Sequence, residues 1–292
     1  MAAEALVAEA HREAGDLAVS GSAIIARLMP LPAPSSAVSG DSLKDRVIFI
    51  TGATGGLGAP LSRACAAQGA TVVLHGRIER KLDALYDEIT AAGHPEPVIL
   101  PLDLAKAEAS DFANVESALR AQLGRLDGLV HTAALLGSLG PIEHQSFDSW
   151  VSLLRVNVAA PMGLTRALMP LLNVAPDAGV VFTLDNRGEQ PRAYWGGYAV
   201  TKAGVATLAR ELADEWENRA NLRINAVVPG PIRSPLRNQS HPGEDRGSLP
   251  PPDALVPLYL YLLAGQTKAD SGTLLDAQAW LAGDSCTSPL RA

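Results

Sequence analysis

Thr51-Gly52-Ala53-Thr54-Gly55-Gly56-Leu57-Gly58 follows the apolar run Val47-Ile48-Phe49-Ile50 and leads into residues with helical spacing. A strand that ends in a glycine-rich turn and opens a helix lets the backbone approach a pyrophosphate, whose charge then meets the helix N-terminus. The glycines are spaced GxxxGxG and not the more common GxGxxG. A turn of this kind also occurs as a plain strand-to-helix connection, so the strand before it and the helix after it are what support a nucleotide site.

Outward from this turn the same alternation continues. Apolar runs recur at Thr71–Leu74, Val98–Leu102, Leu129–Thr132, Val180–Leu184, Ile224–Val228 and Leu274–Leu275. Their continuous hydrophobicity suits strands covered on both faces. Helical candidates lie between them, near 57–68, 78–92, 110–122, 147–172, 195–217 and 253–264. The pattern predicts an α/β fold, a Rossmann-type doubly wound parallel sheet of about seven strands, forming a single domain over 44–285. Ligands on such sheets bind at the carboxyl ends of the strands.

An N-terminal extension over 1–43 and a C-terminal tail over 286–292 flank this domain. In the extension, Leu6, Ala10, Leu17, Ile24 and Leu28 recur at roughly helical spacing, Gly15 and Gly21 weaken any helix, and Pro30, Pro32, Pro34, Ser35 and Ser36 read as a linker. Glu4, Glu9, Glu13 and Asp16 make the segment unlike a targeting peptide.

With 292 residues, 47% of them hydrophobic, the chain has material for one large core. It has no uninterrupted apolar run long enough to span a membrane. A formal charge of −7 and the lack of a basic tract argue against nucleic acid and anionic membranes as partners and favour a small molecule. Cys65 and Cys286 are isolated, without metal-type spacing, which suits a reducing, cytoplasmic setting and predicts no metal site.

Two further signals concern chemistry. Tyr198-Ala199-Val200-Thr201-Lys202 sets a phenol and an ammonium four residues apart, which on a helix puts both on one face. A nearby cation favours the phenolate and would bring a tyrosine, which normally titrates near ~10, within reach of acid–base work. Arg77 follows Leu74-His75-Gly76 at the end of the second run. An acidic residue there would bind the adenosine ribose, whereas Arg can pair with a 2′-phosphate, so NADP(H) is favoured over NAD(H). Asp103, just past the third run, is placed to touch the adenine surroundings.

Together these motifs resemble the classical short-chain dehydrogenase/reductase family over roughly residues 44–280. The stretches carrying the resemblance are Thr51–Gly58, Asp103, Asn157 in Arg155-Val156-Asn157-Val158, Tyr198–Lys202 and Pro229-Gly230-Pro231-Ile232-Arg233-Ser234. Residues 131–137, 192–202 and 257–262 look like a bacterial YciK-type branch. The resemblance implies a carbonyl or alcohol substrate and a homodimer or homotetramer. Tyr198 would exchange a proton with the substrate oxygen, Lys202 would hold the nicotinamide ribose and lower the Tyr198 pKa, and Asn157 would help hold a water. Pro161 gives that last role a physical reason: it has no N–H to offer the Asn157 carbonyl four residues earlier. By the same resemblance the cofactor lies against Gly52, Thr54, Gly56, Leu57, Gly58, Arg77, Asp103, Leu104, Ala133, Lys202, Pro229, Gly230, Ile232 and Ser234.

Two departures stand out. His131-Thr132-Ala133-Ala134 replaces the family's Asn-Asn-Ala-Gly, losing its glycine. Asp185 occupies the position of the catalytic serine, thirteen residues before the tyrosine. A serine donates to the substrate oxygen, whereas an ionised aspartate only accepts, and its charge opposes both a developing alkoxide and a lowered Tyr198 pKa. A protonated Asp185, a donor from Thr183 or Asn186, or a cationic substrate would each reconcile this site with catalysis. The alternative is a non-catalytic nucleotide-binding or interaction protein on the same fold. The segment 233–252, rich in Pro, Gly and charge, is expected to be a mobile lid; His241 in it either contacts substrate or, on the favoured reading, is exposed beside Pro242 and Gly243 with no partner.

Overall fold

The computed structural model describes residues 40–265, 271–284 and 286–290. The expected helix and linker before residue 40 lie outside the described residues.

Among the described residues, eight strands form one sheet. They are β1 (Val47–Thr51), β2 (Thr71–Gly76), β3 (Val98–Pro101), β4 (Gly128–His131), β5 (Ala178–Thr183), β6 (Leu222–Val228), β7 (Thr273–Asp276) and β8 (Thr287–Pro289). Their order is β3-β2-β1-β4-β5-β6-β7-β8, with every pairing parallel except β7 to β8. β1 is buried at all five positions, VIFIT, as its unbroken apolar run required. The chain order reverses between β1 and β4, which opens a crevice at the carboxyl ends of those two strands.

The eighth strand corrects the expected tail. Thr287–Pro289 pairs antiparallel with β7, and Leu290 beyond it is buried in the core. A three-residue run containing Thr, Ser and Pro carries no apolar signal, and Pro at an edge strand omits a ladder donor without cost to a neighbour. At the other end, Leu43 is fully buried, so core packing starts one residue before the expected boundary at 44.

Helices cover both faces. One layer holds α1 (Gly58–Ala67) and α2 (Glu79–Ala91); α3 (Ala109–Leu123) follows β3. After β4 come α4 (Phe147–Leu154), a π-helical segment (Arg155–Ala159) and α5 (Ala160–Val174). Next are α6 (Gly196–Glu215), the short α7 (Pro235–Ser240), α8 (Val256–Leu263) and α9 (Ala277–Ala282). Phe49 and Phe182 are fully buried beside leucines of α3 and α5. Burying one such side chain stabilises the fold by about 1.5–3 kcal/mol.

At the amino ends of the strands, far from the crevice, charges are buried in pairs. Arg223 meets Asp177 at 2.8 Å, Arg46 donates to the carbonyls of Asp177 and Asp127, and the Asp127 carboxylate accepts the Val47 N–H at 2.8 Å. These groups tie β1, β4, β5 and β6 together and leave the opposite edge of the sheet for chemistry.

Candidate active site

A cleft of ≈ 460 Å³ opens along the carboxyl ends of β1, β2, β4 and β5. The glycine turn forms its floor. Gly52 has φ +67, a conformation that L side chains rarely adopt, and a Cβ there would press on the Ala133 backbone at 3.0 Å. Gly58 sits beneath the turn, where a Cβ would come within 2.1 Å of the Gly52 carbonyl oxygen. At Gly52 and Gly58 the turn is therefore closed against side chains, while Thr54 and Leu57 line the cleft beside them.

Thr51 locks this floor to the neighbouring strand end. Its hydroxyl accepts the N–H groups of Thr132 and Ala133 at 3.1 and 3.2 Å. In His131-Thr132-Ala133-Ala134, which lacks the expected glycine, Ala133 and Ala134 both line the cleft. His131 turns inward, with Nε2 2.9 Å from the Thr165 hydroxyl and its ring stacked on Phe182 at 4.8 Å. Burial, with a smaller contribution from His75, pushes its pKa down to about 3. His75, at the end of β2, is lowered to about 4, again chiefly by burial.

Arg77 is exposed at the mouth of the cleft, and Lys81, which the sequence reading missed, lines the cleft one helical turn further on. Its only signal was a second cation at i+4 from Arg77. Asp103 lines the cleft beside them while its carboxylate accepts the Ala105 N–H at 3.1 Å. Of the residues expected against a cofactor, all line the cleft except Gly58, whose place is under the turn. No cofactor is included in the structure. A glycine turn that has no room for a Cβ at Gly52 and Gly58, with two cations at the β2 end, fits a phosphorylated dinucleotide.

The inner end holds the titratable groups. In α6, Tyr198, Thr201, Lys202, Val205, Ala209 and Ala213 form the buried stripe, so the packing that fixes the helix also aims Tyr198 and Lys202 at β5. Tyr198 Oη donates to Asp185 Oδ2 at 2.9 Å, and Asp185 Oδ1 accepts the Arg187 N–H at 2.8 Å. Lys202 Nζ donates to the Thr183 carbonyl at 3.0 Å.

The expected lowering of the Tyr198 pKa is reversed here. Burial first, and then the charge and hydrogen bond of Asp185, hold the phenol well above its ordinary value. Lys202 lies 5.7 Å from the Tyr198 ring centroid, and burial lowers its own pKa to about 8 against the opposing pull of Asp185.

The two alternative donors are placed differently from one another. The Thr183 hydroxyl lines the cleft but is bonded to Tyr259 Oη at 3.0 Å. Asn186 is exposed and does not line the cleft.

Asn157 is buried and acts as a clamp. Its Oδ1 accepts the Leu135 N–H at 2.8 Å, and its Nδ2 donates to the Leu135 carbonyl at 2.8 Å and to the Thr201 hydroxyl at 2.9 Å. The backbone around it widens into a π turn, in which the Ala160 N–H bonds the Arg155 carbonyl. Pro161, with no N–H, is what interrupts the α register.

The segment expected as a mobile lid has structure of its own. Ser234 caps α7 by accepting the Arg237 N–H, and Arg237 holds Glu244 with two bonds of 2.6 Å. Ser234, Pro235, Leu236 and Gln239 cover the cleft. His241 is half-buried and partnered, contrary to expectation: Nδ1 is 2.8 Å from the Ser240 hydroxyl, and the ring is 5.8 Å from that of Trp195.

The profile of the family described as short chain dehydrogenase matches residues 46–245. The chain belongs to the short-chain dehydrogenase family. Among the family's curated members, the uncharacterised oxidoreductase YciK of Escherichia coli K12 is 37% identical over 238 residues, covering 82% of this chain and 94% of that protein. A short-chain dehydrogenase from Shigella flexneri solved with NADP is 35% identical with a TM-score of 0.79, covering 82% of this chain and 100% of its own. Another short-chain dehydrogenase, from E. coli CFT073 and solved with NADPH, is 36% identical with a TM-score of 0.79, covering 82% of this chain and 98% of its own. Among the described residues no helix is long and apolar enough to cross a membrane.

Proposed function

We propose that this chain is an NADP(H)-linked oxidoreductase that exchanges a hydride with a substrate of the carbonyl/alcohol class. The observation that carries the reading is one continuous cleft, with the glycine turn and two cations at one end and Tyr198, Lys202 and Asp185 at the other. The NADP and NADPH bound by two relatives support the choice of cofactor.

When bound, NADPH supplies the hydride. Arg77 and Lys81 would meet its 2′-phosphate, and the Gly52–Gly56 backbone with the α1 N-terminus would meet the pyrophosphate. Lys202 holds the nicotinamide ribose, and Pro229, Gly230, Ile232 and Ser234 shape the wall beside the ring. Tyr198 faces the reacting atom as the proton donor or acceptor. Asn157, through Leu135 and Thr201, fixes the spacing between the β4 loop and the Tyr198 helix. Asp185 stands at the position of the family's catalytic serine.

A second, non-catalytic reading is favoured by one contact: the Tyr198 hydroxyl is donated to Asp185 and not left free for substrate. A single-turnover absorbance assay with NADPH and a panel of ketones, aldehydes and cyclic imines separates the two. Oxidation of bound NADPH supports the enzyme, and bound NADPH that is never oxidised supports the second reading.

The exposed side chains of Phe147 and Leu154 on α4 and Val200 on α6 support a homodimer or homotetramer, which light scattering would measure. The two free thiols, Cys65 and Cys286, suit a cytoplasmic setting.

A further inference from the structure

The unusual feature of the inner cleft is a carboxylate to which no cation is directly bonded, Lys202 feeling its charge only at a distance. Among the described residues Asp185 forms no ion pair; its oxygens accept one backbone N–H and one phenol. The cation closest in sequence, Arg187, turns its guanidinium over the Trp195 ring, 4.7 Å from the centroid. Lys202 directs its ammonium at the Thr183 carbonyl. The carboxylate is half-buried, lines the cleft, and adjoins the Tyr198 hydroxyl, which lines the same cleft. The Tyr198 and Trp195 rings, 5.8 Å apart, add aromatic surface beside it.

We propose that the reacting group taken by this site is a protonated or N-alkylated imine, reduced to an amine, in place of a neutral ketone. The inference rests on the hydride-transfer reading above and changes only the reacting atom from oxygen to positively charged nitrogen.

Charge and proton balance both point this way. Reducing a ketone puts negative charge on oxygen and then takes a proton, which Tyr198 would supply by becoming a phenolate 2.9 Å from a carboxylate. Burial and Asp185 hold that phenol well above its ordinary pKa, so the site opposes the step. An iminium needs no proton. Its carbon accepts the two-electron hydride that NADPH supplies, a C–H bond forms, the C=N π pair becomes the nitrogen lone pair, and NADP⁺ and a neutral amine result. Relative to a neutral imine in water, both the iminium and the transition state carry positive charge, which Asp185 meets. In the reverse direction the same carboxylate stabilises the charge developing on nitrogen.

The test is calorimetry on NADP⁺-loaded protein with three matched pairs of probes, each an N-methyl iminium salt and the neutral ketone of the same skeleton: five-ring, six-ring and benzo-fused. In at least one pair the iminium is expected to bind about tenfold or more tightly than the ketone, and Asp185→Asn to abolish the difference. The amide of Asp185→Asn still offers an oxygen to the Arg187 N–H, and thermal melts check its fold. The comparison within the native protein stands without any variant. Equal or reversed preference in all three pairs would overturn the proposal, as would a preference that survives Asp185→Asn. NADPH binding, followed by fluorescence in the same samples, separates the two readings: intact NADPH binding without iminium preference overturns this proposal alone, whereas loss of NADPH binding in the native protein overturns the hydride-transfer reading with it.

Discussion

The two ends of the cleft are made of different material. The floor of the cofactor end is set by backbone: a turn whose Gly52 and Gly58 have no room for a Cβ, fastened to the β4 end by the Thr51 hydroxyl. The substrate end is side chains, with a phenol, a carboxylate and an ammonium held by α6 and the end of β5. A backbone surface is indifferent to most substitutions but fails completely when a glycine is lost. A side-chain surface can be retuned by one residue without loss of fold, and we propose that Asp185 is such a change.

The sharpest break at the cofactor end is Gly58→Ala. Its methyl would overlap the Gly52 carbonyl, and backbone on both sides cannot yield without moving β1 or α1. We expect destabilisation of about 4 kcal/mol or more and loss of NADPH binding, measured by chemical denaturation and fluorescence titration.

Tyr198→Phe divides the two ends from the other side. NADPH affinity should stay within about twofold, because the hydroxyl bonds to Asp185 and not to the glycine floor. Turnover of any substrate that requires a proton should fall about 10²- to 10⁴-fold in a steady-state assay.

The difference in material also explains what could be read from sequence. Strands β1, β2 and β4 to β6 were legible because unbroken apolar runs report burial on both faces directly. Strand β8 was not, since Thr287, Ser288 and Pro289 are held by an edge pairing that leaves no hydrophobic trace. Gly52 and Gly58 were legible because only glycine satisfies the steric demand. Asp185 was found by its thirteen-residue spacing to Tyr198, but its bond to Tyr198 Oη depends on rotamers set by β5 and α6 together. The same holds for Asn157: Pro161 announced the disturbed helix, whereas the clamp onto Leu135 and Thr201 is purely tertiary. The surroundings of His241 were only half legible: Ser240 adjoins it in the chain, whereas the Trp195 ring reaches it only when the chain around α7 folds back towards the start of α6.

Arg77→Ala should weaken NADPH by about 1.5–3 kcal/mol, the range for a hydrogen bond to a charged group, and affect NADH much less. Calorimetry with both nucleotides checks this. Equal weakening would remove Arg77 from the phosphate site, and a small effect reversed in the Lys81→Ala protein would shift the role to Lys81.

A gentler effect concerns acid. His75 and His131 are buried with pKa values lowered from 6.5 to about 4 and about 3. Below pH 6.5 the unfolded chain binds protons that the folded chain refuses, so their contribution is complete above pH 6.5 and is lost progressively as pH falls towards 4 and then 3. Denaturation midpoints between pH 7 and pH 4 should decline, and the decline should be shallower in His131→Asn. An identical slope in that variant would assign the acid sensitivity elsewhere.

The claim that joins the two ends is that an intact hydride-transfer site has been retuned by one carboxylate, and Asp185→Ser tests it most directly. Single-turnover loss of NADPH absorbance should be followed in both proteins with neutral ketones. The serine variant should restore a donor, remove the charge beside Tyr198, and reduce ketones about 10²- to 10³-fold faster than the native protein. Ketone reduction that is unchanged or slower in Asp185→Ser, with NADPH bound equally by both proteins, would contradict the account.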